Sequence, residues 1–237
     1  MFRKRDDQDE DGWIGVSDIM SGLMMIFMFV AISFMSNLQA KADQVREIAV
    51  AYQEVQDGLY EDLEREFRDD LPRWQAEIDR ETLAVRFREP EVLFGLGQAV
   101  VRPRFAEVLR DFFPRYLKII RSERYRGEIE EIRIEGHTSS DWATGASETE
   151  AYFWNMALSQ DRTRAVLEFC LGTLTDADDR AWVRRFITAN GLSSSRLIVD
   201  TAGNEDPQRS RRVEFRTKTA AERRVVQIIQ QVSQEER

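Results

Sequence analysis

Hydrophobic and polar positions divide the chain into an uncharged apolar run, a charged helical stretch and a region of short alternating segments. The apolar run from Trp13 to Met35 contains a single ionisable side chain, that of Asp18. At about 1.5 Å of rise per residue, a helix of this length crosses a hydrocarbon core of about 30 Å. We therefore predict a transmembrane helix over residues 13–36, preceded by a tail over residues 1–12. The run is longer than the apolar core of a signal peptide, so we expect the anchor to be retained.

The carboxylate of Asp18 is the most informative position in this run. An ionised Asp at membrane depth costs about 2.5–3.5 kcal/mol, so such a residue is usually paired, protonated or in contact with water, and ion pathways are one common reason for it. On a helix, Asp18 shares one face with Ser21 and Gly22, where small residues permit close approach of a partner helix. Ser17 and Ser21 can hydrogen-bond or ligate an ion. The alternative is a residue near the helix start that reaches back to the headgroups.

The stretch from Asn37 to about Asp70 is charged and has apolar residues at steps of three and four, which predicts one helix. Its narrow apolar stripe consists of Val45, Ile48, Tyr52, Val55, Leu59 and Leu63. A stripe this narrow favours pairing of two helices, so we expect a homodimer; the alternative is packing on the chain's own domain. Pro72 interrupts the pattern, and a second short helix is predicted from Trp74 to Ile78. We assign residues 37–81 to a helical linker and dimerisation segment.

From residue 82 the periodicity alternates between strand and helix. Strands are predicted at Leu83–Phe87, Glu131–Gly136, Arg196–Thr201 and Arg211–Phe215. Helices are predicted along Phe105–Ile120, with a kink or division at Pro114, and at Ala151–Leu171 and Asp176–Asn190. The order β-α-β-α-(α)-β-β predicts an α+β domain over residues 82–218, with helices on one side of a small sheet. The pattern of apolar residues over residues 219–237 predicts a final amphipathic helix.

Charge and composition exclude several classes of function. The formal net charge of −9 argues against a basic surface for direct binding of nucleic acid. Cys170 is the only cysteine and is expected to be a buried structural thiol, so neither a disulfide framework nor a cysteine-based zinc site is expected. His137 is the only histidine, so we predict no metal centre and no catalytic triad. We expect no cofactor and no enzyme, since no nucleophile–base pair or phosphate loop is visible.

Four phrases in order resemble the OmpA-like peptidoglycan-binding domain. They are EVLFGLGQAVVRP (Glu91–Pro103), IRIEGHTSS (Ile132–Ser140), NMALSQDRTRAV (Asn155–Val166) and RRVEF (Arg211–Phe215). Such a domain implies a cradle with one acidic and one basic group, because peptidoglycan stem peptides commonly present a diaminopimelate with an ammonium and a carboxylate.

The resemblance implies a ligand contact at each matching position. Arg162 would bind the ligand carboxylate, two N–H groups to two oxygens. The family's Asp after Gly-His-Thr is absent, since Ser139 follows Thr138, and Asp141 is the candidate replacement. The remaining candidate binding residues are Tyr152, Asn155, Leu158, Arg211 and Arg212. The alternatives are a solvated helix arginine at position 162 and charged residues flanking an edge strand at positions 211 and 212.

A single span with an Asp, a helix and an OmpA-like domain resembles the MotB architecture of ion-driven stator units. The phrase Val16–Met35 is similar to the MotB-like ZorB family of Zorya anti-phage defence systems. The resemblance implies a proton or sodium ion transported at Asp18, and a multi-span MotA-like (ZorA-like) partner ring through which cytoplasmic effectors act. It implies an inner-membrane protein with residues 1–12 cytoplasmic and the domain periplasmic. A flagellar stator subunit and a passive peptidoglycan-anchored envelope scaffold are the alternatives; a transducer such as ExbD or TolR would lack the peptidoglycan motifs.

Overall fold

The computed structural model of the chain describes residues 6–88, 93–142 and 145–220. Its internal contacts divide the chain into two compact units, Met1–Val50 and Ala51–Arg237. The second unit, called the globular unit, contains the predicted domain over residues 82–218 together with the part of the predicted linker from Ala51 onward. Of the amphipathic helix predicted over residues 219–237, residues 221–237 lie outside the described residues, and Thr219 is the last residue of a strand.

The first unit is the N-terminal part of one continuous helix, α1 (Asp6–Phe67). Its stretch Val16–Asp43 is long and apolar enough to cross a membrane, and none of that apolar surface is buried within the chain. This stretch overlaps the transmembrane helix predicted over residues 13–36. It begins three residues after the predicted start and ends seven residues after the predicted end.

The C-terminal end of α1 belongs to the globular unit. Leu59 and Leu63 are fully buried in the hydrophobic core of that unit. This end of the apolar stripe therefore packs on the chain's own domain, which was the alternative to helix pairing. Toward the N-terminus of α1, Val45 is exposed, and the side chains of Ile48 and Tyr52 lie outside the described residues. Dimerisation through that upper part stays a prediction.

The predicted helix at Trp74–Ile78 is wrong. The structure has a one-turn helix, α2 (Leu71–Trp74), followed by a strand, β1 (Ala76–Asp79). Gln75 between them takes a left-handed conformation with φ of 53°, which ends the helix and redirects the chain. Antiparallel pairing of β1 with β2 (Ala84–Phe87) then outweighs the local pattern, because the backbone N–H and C=O groups of the mostly buried β2 need hydrogen-bond partners.

Five strands form one mixed sheet in the order β1-β2-β5-β3-β4. The other strands are β3 (Ile129–His137), β4 (Ile187–Gly191) and β5 (Arg212–Thr219). β3 and β4 are parallel, and the remaining neighbours are antiparallel. This arrangement confirms the α+β class.

The edge strand next to β3 differs from the prediction. The sequence Arg196–Thr201 was expected to be a strand, but its residues form a loop with one isolated bridge between Val199 and Glu205. The strand at this edge is instead β4. Its first four residues, Ile187–Asn190, were predicted to be the end of the helix Asp176–Asn190. The register of β4 on β3 buries Ile187, so a tertiary contact decides between two patterns that look alike locally.

Helices pack on one face of the sheet. They are α3 (Pro103–Ile120), α4 (Glu148–Thr173) and α5 (Ala177–Phe186), with short turns at Glu123–Tyr125 and at α6 (Pro207–Ser210). Pro114 lies inside α3 without dividing it. The core between α3 and the sheet is aromatic: the ring of Phe112 lies 5.1 Å from that of Phe87 and 5.1 Å from that of Phe215, centroid to centroid. Cys170 is fully buried here, as expected.

Candidate functional site

A cleft of about 490 Å³ opens between α4 and the loops that flank it. Its walls are formed by Phe94, Gly95, Leu96, Gly97, Thr138, Ser139, Asp141, Trp142, Asn155, Leu158, Arg162 and Arg211. The volume suits a small peptide or sugar fragment. Seven of these wall residues are among those predicted from the sequence to bind a ligand.

Arg162 forms the floor of the cleft and is only 8% exposed. Its Nε donates to the carbonyl of Gln98 at 2.9 Å and its Nη2 to the carbonyl of Gly95 at 3.2 Å. The guanidinium carbon lies 5.0 Å from the ring centroid of Phe94. Among residues 6–88, 93–142 and 145–220, no carboxylate forms a salt bridge with this guanidinium, so its remaining N–H groups are oriented by the protein but not neutralised. It is not the solvated helix arginine of the alternative.

The environment of Arg162 disfavours its charge. Burial, with the nearby positive charge of Arg211 second, lowers the pKa of the guanidinium to about 10. Arg162 is still protonated at neutral pH, but it carries a desolvation cost that an incoming carboxylate would offset. A site of this kind selects anionic groups that can accept two parallel N–H bonds.

The wall above Arg162 is a tight loop, residues 93–102. Phe94 and Val101 form a β-bridge, and the backbone N–H of Arg102 donates to the carbonyl of Leu93 at 3.0 Å. Gly97 has φ of +64°, a left-handed conformation that favours glycine. Because the loop carbonyls accept from Arg162, the loop holds the guanidinium in one orientation.

The opposite wall is the loop that follows β3. The side-chain amide of Asn155 donates to the backbone carbonyls of Ser139 and Asp141, each at 3.2 Å. The backbone N–H of Ser140 donates to Glu205 at 3.0 Å, and its hydroxyl also bonds that carboxylate. These bonds fix the loop from α4 on one side and from the segment after β4 on the other. Asn155 therefore both lines the cleft and positions its acidic wall.

The residue predicted to supply the acidic group, Asp141, is one of the residues that line the cleft. Asp141 is exposed at the cleft wall, whereas Ser139 is buried. Thr138 is 3% exposed, and its hydroxyl is buried without a hydrogen-bond partner among the described residues. A buried hydroxyl without a partner is costly, so it is well placed to bond a ligand. The cleft thus combines the carboxylate of Asp141 with the guanidinium groups of Arg162 and Arg211.

Two predicted binding residues do not line the cleft. Arg212 is buried beneath the sheet end, where its Nε donates to Glu214 at 2.5 Å and its Nη1 to the carbonyl of Ser210 at 2.9 Å. Tyr152 is half-buried on α4; its backbone carbonyl accepts from Ser193 at 2.7 Å. Arg211, the residue just before β5, lines the cleft, whereas Arg212, the first residue of β5, does not, because successive residues of an extended chain point to opposite sides.

A buried polar cluster lies on the sheet face opposite the helices. Glu135 and Glu214 are cross-strand neighbours, and the Nε2 of His137 lies 3.8 Å and 3.9 Å from their respective carboxylate oxygens. Neither ring nitrogen of His137 has a hydrogen-bond partner among the described residues. Burial, with the charge of Arg212 second, lowers the pKa of His137 to about 3.

The three side chains of this cluster are close enough to surround a cation. However, Glu214 already pairs with Arg212 and with Arg86, at 2.9 Å from the latter, and Glu135 lies 3.5 Å from Arg196. With three guanidinium groups beside two carboxylates, a divalent ion would add positive charge where it is already in excess. We therefore interpret the cluster as a structural ion network.

The ion-coupling residues predicted from the sequence lie on α1. The hydroxyl of Ser21 donates to the carbonyl of Ser17 at 2.8 Å. Ser17, Asp18 and Ser21 are exposed within the described chain, and an added Cβ at Gly22 would meet no atom within 4 Å. The face around Asp18 is therefore free for another helix.

Sequence reasoning missed the apolar wall of the cleft. Phe94, Leu96 and Trp142 line it, and the carbonyls of Gly95 and Gln98 hold Arg162. The phrase FGLGQ was used as a motif but assigned no contact, and its two glycines next to an aromatic residue were the signal that marked a binding loop.

No protein-family model matches the chain. The chain is 48% identical over 225 residues to "Zorya protein ZorB" of Escherichia coli strain Crooks, and the match covers 95% of each chain. It is also 23% identical over 226 residues to "Zorya protein ZorB" of Escherichia coli strain E24377A, covering 90% of this chain and 82% of that one.

The fold is also found among solved structures. One example is the crystal structure of a MotB-like protein from Desulfovibrio vulgaris, with a TM-score of 0.50 and 23% identity. The similarity covers 74% of this chain and 99% of that one.

Proposed function

Because the chain belongs to the ZorB family of Zorya proteins, we propose that it is the MotB-like, peptidoglycan-anchoring subunit of an anti-phage defence system. The observation that supports the anchoring role most directly is the buried guanidinium of Arg162 on the floor of the cleft, which has no carboxylate partner among the described residues. The proposal has two parts, a ligand site in the cleft and an ion site in the span.

In the first part, the cleft binds a stem peptide of peptidoglycan. The ligand carboxylate accepts two N–H bonds from Arg162, and its ammonium lies against Asp141. Arg211 adds positive charge, and the hydroxyl of Thr138 bonds a polar group of the ligand. The geometry favours a molecule with both charges close together, as a diamino acid has.

In the second part, Asp18 accepts and releases a proton or a sodium ion at the contact with a multi-span partner ring of the MotA (ZorA) type. One elementary charge crossing 100 mV supplies about 2.3 kcal/mol. This energy is comparable with the cost of about 2.5–3.5 kcal/mol of exposing an ionised Asp to hydrocarbon, so protonation switches which contact the helix prefers. Repeated switching would rotate the ring around a dimer of this subunit, which peptidoglycan holds still.

This assignment gives the membrane orientation. The chain is a single-pass inner-membrane protein, with residues 1–12 in the cytoplasm and the globular unit in the periplasm, because peptidoglycan lies outside the inner membrane. Output to cytoplasmic effectors then passes through the partner ring.

The anchoring part is tested by co-sedimentation of the full chain, in nanodiscs, with purified sacculi. Arg162→Ala is expected to weaken binding by about ten- to hundredfold, since a charge-assisted hydrogen bond contributes about 1.5–3 kcal/mol. Arg164→Ala is the matched control: this arginine lies two residues along the same helix, is exposed and pairs with Asp161 at 3.1 Å. Equal sedimentation of the wild type and Arg162→Ala would contradict the proposed site.

The motor part is tested by protection of cells against phage. The intact operon with Asp18→Asn should give no protection, with the protein at normal abundance in the membrane. Asp43→Asn, at the end of the same apolar stretch, is the control and should protect as the wild type does. If the operon with Asp18→Asn protects as fully as the wild type, the span serves only as a membrane anchor.

A further inference from the structure

The mouth of the cleft carries large apolar side chains in contact with water. Trp142, in the cleft wall, is 38% exposed and Leu96, in the opposite wall, is 93% exposed. Trp154 on α4 is 44% exposed, and its ring centroid lies 5.8 Å from that of Trp142, with the ring planes at 43°. We call Trp142 and Trp154 the tryptophan pair.

The tryptophan pair is not part of the core. The described hydrophobic core lies between α3, α4 and the sheet, and neither indole belongs to it. Exposed tryptophan surface is costly in water, so two such rings in contact with each other at the edge of a cleft mark a binding surface. The contact also fixes both rings, since each limits the rotation of the other.

We propose that the tryptophan pair binds the glycan strand of peptidoglycan, as a second subsite beside the charged cleft; this inference rests on the proposed anchoring function. In peptidoglycan each stem peptide is joined covalently to a muramic acid ring. A stem peptide whose charged groups reach Arg162 and Asp141 therefore brings a sugar ring to the mouth. Because Trp142 directly follows Asp141 in the chain, the aromatic surface begins where the acidic wall ends.

The chemistry of the pair fits a pyranose ring. A sugar presents a face of C–H bonds, which packs on an indole, and a rim of hydroxyls, which stay in water. Indoles are large and apolar and carry one N–H donor for such a rim. The subsite is uncharged, so it complements the charged cleft and leaves recognition of the peptide ends to Arg162 and Asp141.

The surroundings disfavour a membrane as the occupant. Glu148 and Glu150 in the first turn of α4 are exposed, and Asp141 lies next to Trp142. Three carboxylates around an aromatic surface would repel an anionic lipid headgroup. A glycan strand has no such conflict, because its N-acetylated sugar rings are uncharged and its lactyl group is an amide where a stem peptide is attached.

The test compares two ligands with the full chain in nanodiscs by isothermal titration calorimetry. One is the free diaminopimelate tetrapeptide; the other is the same tetrapeptide attached to its N-acetylglucosamine–N-acetylmuramic acid disaccharide. The wild type should bind the disaccharide form about tenfold more tightly, since covering part of two indoles removes apolar surface from water. Trp154→Ala should lose that preference and keep its affinity for the free peptide.

Two further variants separate the subsites. Phe153→Ala is the matched control, because Phe153 is 63% exposed on the same helix but packs on Tyr152, with ring centroids 5.7 Å apart. It should bind both ligands as the wild type does. Arg162→Ala should lose binding of both ligands, which reports on the charged cleft and not on the tryptophan pair.

The outcomes that overturn the inference are distinct. Equal affinity of the wild type for the two ligands would show that the sugars are not bound, while leaving the charged cleft intact. Equal weakening of both ligands by Trp154→Ala would show that the pair only supports the cleft. Loss of self-association in Trp154→Ala, with no change in ligand preference, would assign the pair to a second copy of the chain. Binding of neither ligand to the wild type would remove the proposed anchoring function as well.

Discussion

At the residue scale, the site depends on charges that the fold keeps apart from their usual partners. Arg162 is held by two backbone carbonyls, whereas Arg212, fifty residues later in the chain, is neutralised by Glu214. The two arginines lie in two of the four matching phrases, yet among the described residues only Arg212 forms a salt bridge with a carboxylate. In the proposed ligand site, the guanidinium that binds the ligand is therefore the one that has no carboxylate as a counter-ion in the described part of the chain.

Arg162→Lys tests this geometry. An ammonium keeps the charge but loses the planar pair of N–H groups, so binding of the diaminopimelate tetrapeptide should weaken by about tenfold. The measurement is calorimetric titration of the full chain in nanodiscs. If Lys supports wild-type affinity, the site recognises charge alone and the two-bond arrangement has no role.

Asp141→Asn tests the acidic wall. The amide has the same shape but no charge, so the affinity for the tetrapeptide should fall by about tenfold, while a tetrapeptide whose side-chain ammonium is acetylated should bind both proteins equally. Asp161→Asn, on the exposed side of α4, is the control. Unchanged affinity in Asp141→Asn would mean that the ammonium is recognised elsewhere.

His137 predicts a specific pH dependence of stability. Its folded-state pKa of about 3 is below the ordinary value of 6.5, so the unfolded chain binds one more proton between these values. Stability from this group is complete above pH 6.5 and falls as the pH decreases toward 3. The slope should be about 1.4 kcal/mol per pH unit. The charges that face the imidazole are those of Glu135, Glu214, Arg212 and Arg196.

The measurement is denaturant unfolding of the full chain in nanodiscs between pH 4.5 and 7.5. His137 is the only histidine, so His137→Gln should remove this slope above pH 5. Below that range Glu214 contributes in the same direction: although burial raises its pKa, the charge of Arg212 leaves it below the ordinary value. A slope that persists in His137→Gln above pH 5 would contradict a neutral buried imidazole.

At the element scale, α4 connects the sheet to the site. Ser147 begins it with a capping box, in which its hydroxyl accepts from the N–H of Glu150 and the Glu150 carboxylate accepts from the N–H of Ser147 at 2.9 Å. The helix then approaches β3 and β4 closely at two glycines. Its inner face carries Asn155 and Arg162, so the placement of the helix on the sheet determines the shape of the cleft.

Gly191 tests this close approach. A Cβ there would lie 2.3 Å from the backbone nitrogen of Gln160 and 2.6 Å from its Cα, and a helix backbone cannot move as a flexible side chain does. Gly191→Ala should therefore destabilise the globular unit by about 2–3 kcal/mol and weaken ligand binding through the displaced helix. Gly172→Ala is the control. Gly172 lies in α4, the helix that Gly191 contacts, and nothing lies within 4 Å of a Cβ added there. It should stabilise by about 0.5–1 kcal/mol, and both changes are read from denaturant midpoints.

At the scale of the whole molecule, the chain joins two units to which we assign different roles. The proposed ion site lies in the span, and the proposed ligand site lies in the globular unit. Leu59 and Leu63, near the C-terminal end of α1, are buried in the core of the globular unit. The proposed function requires both sites, because ion transfer without an anchor gives no fixed axis for rotation.

This arrangement predicts that the two sites can be separated. Asp18→Asn should keep full co-sedimentation with sacculi and lose protection against phage, whereas Arg162→Ala should lose both. Parallel sedimentation and infection assays on the two variants, with membrane abundance checked by blot, make the comparison. Protection that survives loss of sacculus binding would show that the anchor is not needed for defence.

The sequence by itself determined the span, the acidic residue within it, the α+β class and most of the residues around the cleft. These are local features: a long apolar run, strand and helix periodicities, and short motifs in a fixed order. Only the tertiary structure decided that Ala76–Asp79 and Ile187–Gly191 are strands, because strand pairing overrides a short local pattern. It also decided that Arg162 is unneutralised while Arg212 is paired, and that Trp142 meets Trp154. Those outcomes depend on which side chains the sheet and α4 bring together from distant positions, and no local pattern contains that information.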